Sequence, residues 1–228
     1  MPARSIALAV ALLMSCGGVA APAPAAAPSI APTSTPTPTQ PAGTASASGP
    51  WTFTVDASSK ATVRVREVLA QIRAPGDAVL TATGLKGGFT VNADGTFAAS
   101  SIISADLTTL RSDQSQRDSF IKDNTLATRR FPTALFLPTK TTGLTLPLPL
   151  SGELRFTLSG DMTIHGQTKS VSFAVTATRA GGKLTATAIA APAWKFADFG
   201  MTVPRVASVL SIEDDIRLEI ALVATETG

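Results

Sequence analysis

From residue 51 onward the chain alternates. Leu154, Phe156 and Leu158 are separated by Arg155 and Thr157, and Val171, Phe173, Val175 and Ala177 by Ser172, Ala174 and Thr176. Ile216, Leu218, Ile220 and Leu222 are separated by Arg217, Glu219 and Ala221. A period of two sends successive side chains to opposite faces of a strand, so each run predicts one buried and one solvated face. Threonine recurs in the polar set, which suits a pleated surface. Turn residues fall between the runs. His165-Gly166 lies between the run ending at Ile164 and the one starting near Lys169, and predicts a hairpin. Gly181-Gly182 precedes 183–188, and Asn92-Ala93-Asp94-Gly95 separates 89–91 from 96–98. Strands are predicted over 51–55, 61–65, 79–83, 96–106, 133–137, 154–164, 171–178, 183–188 and 212–223, eight to ten in all. Even spacing of this kind indicates a sandwich or a closed barrel.

The stretch 112–127 breaks the period. It is polar, with Leu110, Phe120, Ile121 and Leu126 as its apolar points, and its Ser112-Asp113 start predicts the cap of a short helix. It reads as an excursion covering one end or flank of an all-β domain. A closed barrel of about eight strands is just wide enough to be filled by its own side chains or to hold one small ligand. Alternation does not decide between the two, so Phe136, Phe156, Phe173 and Phe199 are candidates either for a solid core or for the lining of a cavity.

The first fifty residues are of a different kind. They carry one charged side chain, Arg4, followed by the apolar run 6–14. That run is far shorter than the roughly 20 residues a transmembrane helix needs, and a charged start before a short apolar core is the pattern of a secretory signal peptide. Leu13-Met14-Ser15-Cys16 resembles the bacterial lipobox, which implies cleavage before Cys16 and a lipid on its thiol. The competing site is cleavage after Val19-Ala20-Ala21, which would release a soluble protein. Residues 17–50 are mostly Ala, Pro, Thr, Ser and Gly, a composition that buries too little apolar surface to offset the entropy of ordering. The chain is thus expected to divide into a signal peptide at 1–15, a tether at 16–50 and a folded domain at 51–228. The expected location is the periplasmic face of a bacterial membrane, as a lipoprotein, with a soluble periplasmic protein as the alternative.

Composition narrows the chemistry. The net charge is +3, charged residues are 15% of the chain, and the basic ones are scattered, whereas nucleic-acid binders cluster theirs on one face. No nucleic-acid partner is expected. A single cysteine excludes an internal disulfide and a Cys-based zinc site. His165 is the only histidine and stands in a predicted turn, whereas a metal site needs several converging ligands. No metal, haem or other cofactor is expected. Asp198-Phe199-Gly200 spells the magnesium motif of protein kinases but has neither a Gly-rich phosphate loop nor a His-Arg-Asp stretch beside it, and reads as a loop entering the last strand. No catalytic residue is assigned.

Several motifs stand in order along the domain: Trp51-Thr52-Phe53-Thr54-Val55-Asp56 with Ser58-Ser59; Asp106-Leu107-Thr108-Thr109-Leu110, Arg117-Asp118 and Arg130-Phe131-Pro132-Thr133-Ala134-Leu135-Phe136; Gly160-Asp161-Met162-Thr163-Ile164-His165-Gly166; and Asp198-Phe199-Gly200-Met201 followed by Asp215-Ile216-Arg217-Leu218. Together they resemble the YceI-like, or polyisoprenoid-binding, family. The resemblance runs from about 51 to 224 and implies a lipocalin-like antiparallel β-barrel with an elongated apolar interior. It also implies binding, storage or transport of a polyisoprenoid or similar long-chain amphiphile without catalysis. The implied partners are that lipid and a membrane reached through the N-terminal anchor, with homodimer formation left open. On this reading the four phenylalanines line the cavity, and Arg117 and Asp118 contact a ligand head group at the barrel mouth or fix the excursion against the barrel. Two other functions compete: an envelope scaffold with a filled barrel, and a hydrolase or isomerase using the same cavity. The long tether and the Pro/Leu-rich segment 144–150 depart from the family pattern, the latter at the barrel rim.

Overall fold

The structure, a computed structural model, describes residues 48–227. The predicted signal peptide, Cys16 and the tether as far as residue 47 lie outside them. Eleven strands follow the alternation: β1 Trp51–Val55, β2 Lys60–Leu69, β3 Pro75–Thr83, β4 Lys86–Val91, β5 Ile102–Asp106, β6 Thr133–Thr142, β7 Gly152–Ile164, β8 Gln167–Ala180, β9 Lys183–Ala190, β10 Val209–Ile212 and β11 Arg217–Glu226. One short helix, α1 Ser115–Phe120, lies between β5 and β6. Eight strands close a ring in the order β1-β4-β5-β6-β7-β8-β9-β11, with β11 pairing back onto β1. Every pairing in it is antiparallel.

The ring leaves out β2, β3 and β10 because β11 is shared. Its residues 217–221 pair with β2, and its residues 224–226 with β1. Ser59 stitches the handover: its Oγ accepts from the Val223 amide at 2.9 Å and donates to the Val223 carbonyl at 3.1 Å, doing with a side chain what a ladder does with backbone. β3 then pairs with β2, and β10 adds to the end of β2. The excursion, the 165–166 turn, the 191–216 segment and the β2–β3 hairpin tip leave the barrel at one end, called here the excursion end. The 92–95 turn, segment 143–151 and the 181–182 turn leave at the other.

The two glycine-bearing turns behave as their residues require. His165 and Gly166 have φ of 52° and 74°, and Gly181 and Gly182 of 56° and 75°. Positive φ at both central residues is the geometry of a type I′ hairpin turn, whose twist matches the flanking strands.

Three sequence expectations are corrected. The strand predicted over 96–106 is broken: Thr96 and Phe97 make single bridges, and the chain turns at 98–101 before β5. There the Ser101 hydroxyl accepts from the Thr90 amide, so a side chain ends the ladder. The strand predicted over 212–223 is split into β10 and β11. Asp214 accepts from the Phe196 amide and Asp215 pairs with Lys195, pulling the intervening acids out of the sheet. Ser112-Asp113 does not cap α1, whose N-cap is Gln114 without a side-chain bond. Instead the Asp118 carboxylate reaches back to the Ser112 amide and hydroxyl, each at 2.7 Å, and a single π turn, Ile121–Thr125, follows.

Gly160 shows how tightly β6 and β7 are fitted. It lies opposite Pro138, where β6 shifts register, and a Cβ placed on it would stand 2.4 Å from the Leu137 carbonyl oxygen and 2.6 Å from the Phe136 ring. A backbone oxygen fixed within β6 cannot retreat cheaply. Gly160→Val is expected to cost about 3 kcal/mol, the upper part of the overpacking range, read as a lowered urea midpoint at unchanged slope. A midpoint equal to the parent's would mean that the wall is softer than its contacts imply.

Candidate functional site

The barrel interior is built by two kinds of inward residue. Phenylalanines supply bulk: Phe53 stacks on Phe89 at 5.2 Å, and Phe136 meets Phe173 edge-on at 5.3 Å. Alanines supply space. On β9 the buried positions are Leu184, Ala186, Ala188 and Ala190, against exposed Lys183, Thr185, Thr187 and Ile189. On β8, buried Ala177 is the register partner of Ala186. A wall of methyl groups facing rings cannot close the middle of an eight-stranded barrel.

Ala177, Ala186 and Ala188 border the first of two apolar cavities and not the second. The first, of about 90 Å³, lies against Phe53, Phe156, Phe173, Ala177, Ala186 and Leu222. The second, of about 150 Å³, lies against Val63, Leu80, Leu126, Phe199, Met201 and Leu218. Ile103, Phe136 and Ile220 line both and so form the partition between them. The polar side chains on these walls are Thr141 in the first and Ser104 and Thr125 in the second, and no charged side chain lines either. Phe136, Phe156, Phe173 and Phe199 all face this space.

A charged residue nonetheless sits inside the barrel. Parity carried past Ala177 brings Arg179 inward, and its side chain is 1% exposed. Its Nη2 donates to both Glu226 carboxylate oxygens, at 2.7 and 2.6 Å, and its Nη1 to the Leu148 and Pro149 carbonyls, at 3.1 and 2.9 Å. The guanidinium carbon lies 5.8 Å from the Phe53 ring centroid. The Pro/Leu-rich segment is therefore a plug. Leu144 and Leu148 turn into the first cavity, and Arg179 holds the plug's backbone to β8 and β11. Alternation of 171, 173, 175, 177 and 179 was the sequence signal for Arg179; its acid lies 47 positions away, beyond any local pattern.

At the excursion end Arg117 bridges Glu67 of β2 at 2.6 Å and Asp113 at 2.5 Å. With the Asp118 bonds to Ser112, this brace sets Ile121, Thr125 and Leu126 over the second cavity, which neither Arg117 nor Asp118 lines. His165 packs its ring on Phe131 at 5.0 Å, with Nδ1 3.3 Å from the Phe199 carbonyl oxygen. Among the described residues no group of three His, Cys, Asp or Glu is placed to hold a metal ion.

Asp198 does electrostatic work on the rim. The 3-10 turn Phe196–Phe199 ends at Gly200 in the left-handed region, φ 65°, and the Asp198 carboxylate accepts from the Lys195 amide at 2.8 Å and pairs with Lys169. The Lys169 bond foremost, then the Lys195 amide, hold its pKa below the ordinary carboxylate value. A carboxyl more acidic folded than unfolded stabilises the fold above its unfolded pKa of about 3.9 and loses that contribution as pH falls through the lower folded value. The stability gap between the parent and Asp198→Asn is thus expected to be constant from neutral pH to about pH 5 and to shrink below about pH 4. A gap independent of pH in denaturant melts would rule the ion pair out as its source.

A closed antiparallel barrel with two carbon-lined cavities that no charged side chain lines defines a class of binding barrels of lipocalin-like shape. The YceI-like domain family model matches residues 51–224, and the chain belongs to that family. No curated protein matches the sequence. Among solved structures it is similar to a polyisoprenoid binding domain from Saccharophagus degradans implicated in plant cell wall breakdown. Identity there is 13%, over 77% of this chain and 98% of that one, with a TM-score of 0.59. It is also similar to Burkholderia cenocepacia BcnA (16% identity, 73% and 96% covered, TM-score 0.49) and to a Campylobacter jejuni YceI protein (17%, 65% and 85%, 0.49). At 13% identity the likeness to the first of these speaks for the fold alone.

Proposed function

We propose that this protein binds and carries a long-chain amphiphile of polyisoprenoid type in its barrel, without chemistry on it, in the bacterial cell envelope. The observation that carries the reading is the alanine wall of β8 and β9, which leaves apolar space where larger side chains would fill the barrel. The polyisoprenoid-binding relative from Saccharophagus degradans supports the ligand class. The lining supports binding over catalysis, since the walls offer no ionisable group to either cavity.

Size sets how the ligand enters. An apolar cavity of about 150 Å³ stays dry and accepts a benzene-sized guest, so each cavity takes a short part of a chain. A longer chain joins the two when Phe136 swings off the partition, and its far end displaces the plug or the excursion. Burying each CH₂ from water contributes about 0.8 kcal/mol, more than enough over a long chain. A lipid already in a bilayer gains almost none of that, so exchange with a membrane is near balance. Acylation at Cys16, with 17–50 as tether, would keep the barrel beside that source.

The test is native mass spectrometry of the full chain carrying Cys16→Ser, purified without detergent from its own host. A discrete added mass that organic solvent removes, with the composition of a prenyl lipid, is the expected result. A bare protein mass that survives incubation with host membranes unchanged would leave a filled scaffold as the function.

A further inference from the structure

We infer, resting on the carriage proposed above, that Arg179 is the head-group site of the carried lipid and that the plug's carbonyls stand there in place of an uncharged oxygen head. Arg179 sits where the first cavity meets the plug. Its register partners are Gly152 and Leu184, its guanidinium lies by the Phe53 ring, and it bonds to the Leu148 carbonyl. Phe53, Leu148 and Leu184 all line that cavity. Around this end Asp56, Asp94, Lys140, Glu153, Arg155 and Lys183 are exposed. Arg179 is the charge that turns inward, and Glu226 is the acid that reaches it.

The two sides of the guanidinium are held differently. Nη2 is bound by Glu226, but the acceptors of Nη1 are the Leu148 and Pro149 carbonyls, which belong to a loosely held segment. Among the described residues, 144–151 makes no backbone–backbone hydrogen bond, and Pro147 and Pro149 have no amide to offer. The segment joins the barrel through Gly143 and Gly152, at φ 81° and 117°, where glycine is the least strained residue. A segment without a ladder opens at low cost. Leu144 and Leu148 stand in the first cavity, so a chain that fills the cavity lifts them, and the carbonyls leave with them. Nη1 then loses both acceptors, while the buried Nε already has none. Stripping a buried charged donor of its acceptors is costly. An oxygen at the end of the incoming chain restores what the plug takes away.

Charge selects the kind of oxygen. Both Glu226 carboxylate oxygens lie within 2.7 Å of Nη2, so the guanidinium charge is already matched. A phosphate head would add further negative charge against carbon walls that hold no second cation, and an unmatched buried charge is strongly disfavoured. A hydroxyl or carbonyl oxygen replaces the plug's carbonyls like for like. Apolar walls with a few placed polar groups that fix orientation are the usual make-up of a ligand site. Here the head lies at Arg179 and the tail runs past Phe136 towards the second cavity.

Three probes with one chain length and different heads test this: hexadecanol, hexadecyl phosphate and hexadecane, each at the same mole fraction in phosphatidylcholine vesicles. The full chain with Cys16→Ser is equilibrated with the vesicles and separated from them, and probe per protein is measured in a solvent extract. Hexadecanol is expected to exceed both others by about tenfold or more, the worth of a hydrogen bond to a charged group. In Arg179→Met with Glu226→Gln it should fall to the level of hexadecane. Spin labels on Thr145→Cys and Thr185→Cys, both exposed, should report a longer distance between plug and β9 once hexadecanol is bound. Equal uptake of all three probes leaves carriage standing and removes the head-group site. Preference for the phosphate, a preference for the alcohol that survives in the double variant, or bound alcohol with no lengthening of the label distance overturns the inference as well. Uptake of none of the three removes carriage itself, and the head-group site with it.

Discussion

Ala186→Phe is expected to abolish lipid carriage while leaving the barrel folded. Residue 186 faces the first cavity beside Ala177, with Phe173 and Leu222 also on that wall. A ring placed there occupies the space the alanines leave. Two energies oppose each other. Burying a phenyl group is worth about 2 kcal/mol, and forcing extra atoms into a packed interior costs about 1–3 kcal/mol. The net change in stability is therefore near zero, so the urea midpoint should barely move. Lipid has no such compensation, because the chain and the ring need the same volume. Lipid recovered per protein, by mass spectrometry after solvent extraction, should fall at least tenfold. Thr187→Phe, one residue along and exposed, places the same ring on the outer face and should leave lipid content unchanged. If Ala186→Phe keeps its full complement of lipid, the cargo lies elsewhere and the interior is only a core.

Ala186 also separates what a strand carries locally in its sequence from what only the closed barrel reveals. Parity assigned the inward face of β7, β8 and β11 correctly, because one buried and one solvated face is a local property of a strand. The same parity on β9 already placed Ala186 and Ala188 inside. The inward phenylalanines are the more conspicuous signal, but rings alone do not distinguish a lined cavity from a filled core. Small inward residues do, since the missing volume is what makes a cavity. Other features were out of reach for a different reason. The Ser59 handover from β1 to β2 along β11 joins residues 164 apart in the chain, and the division of β10 from β11 depends on Asp214 and Asp215 finding Phe196 and Lys195. Neither has a local signature. The excursion was legible as an interruption, but its brace from Arg117 to Glu67 crosses to β2 and appears only once the barrel closes.

Glu226→Gln is expected to destabilise the fold by about 3 kcal/mol. Removing one partner of a buried ion pair typically costs about 3–5 kcal/mol, because the other charge stays buried without compensation. Here Arg179 is 1% exposed and Glu226 25%, so water reaches one side of the pair and the lower figure applies. The Arg179 Nε already lacks a partner, which leaves the guanidinium little slack when Glu226 is neutralised. Two outcomes separate this account from a general intolerance of change at the end of β11. The double variant Arg179→Met, Glu226→Gln should recover most of the loss, since an apolar side chain of similar length suits a site beside Phe53 and Leu148, and such replacements are often neutral or stabilising. It should also free the plug, whose Leu148 and Pro149 carbonyls would lose their shared donor. Amide exchange in 143–151 should then rise in the double variant even as the denaturation midpoint returns towards the parent's. A double variant as unstable as Glu226→Gln alone would show that the acid matters for β11 itself, and unchanged exchange in 143–151 would show that the plug is held by its leucines and not by Arg179.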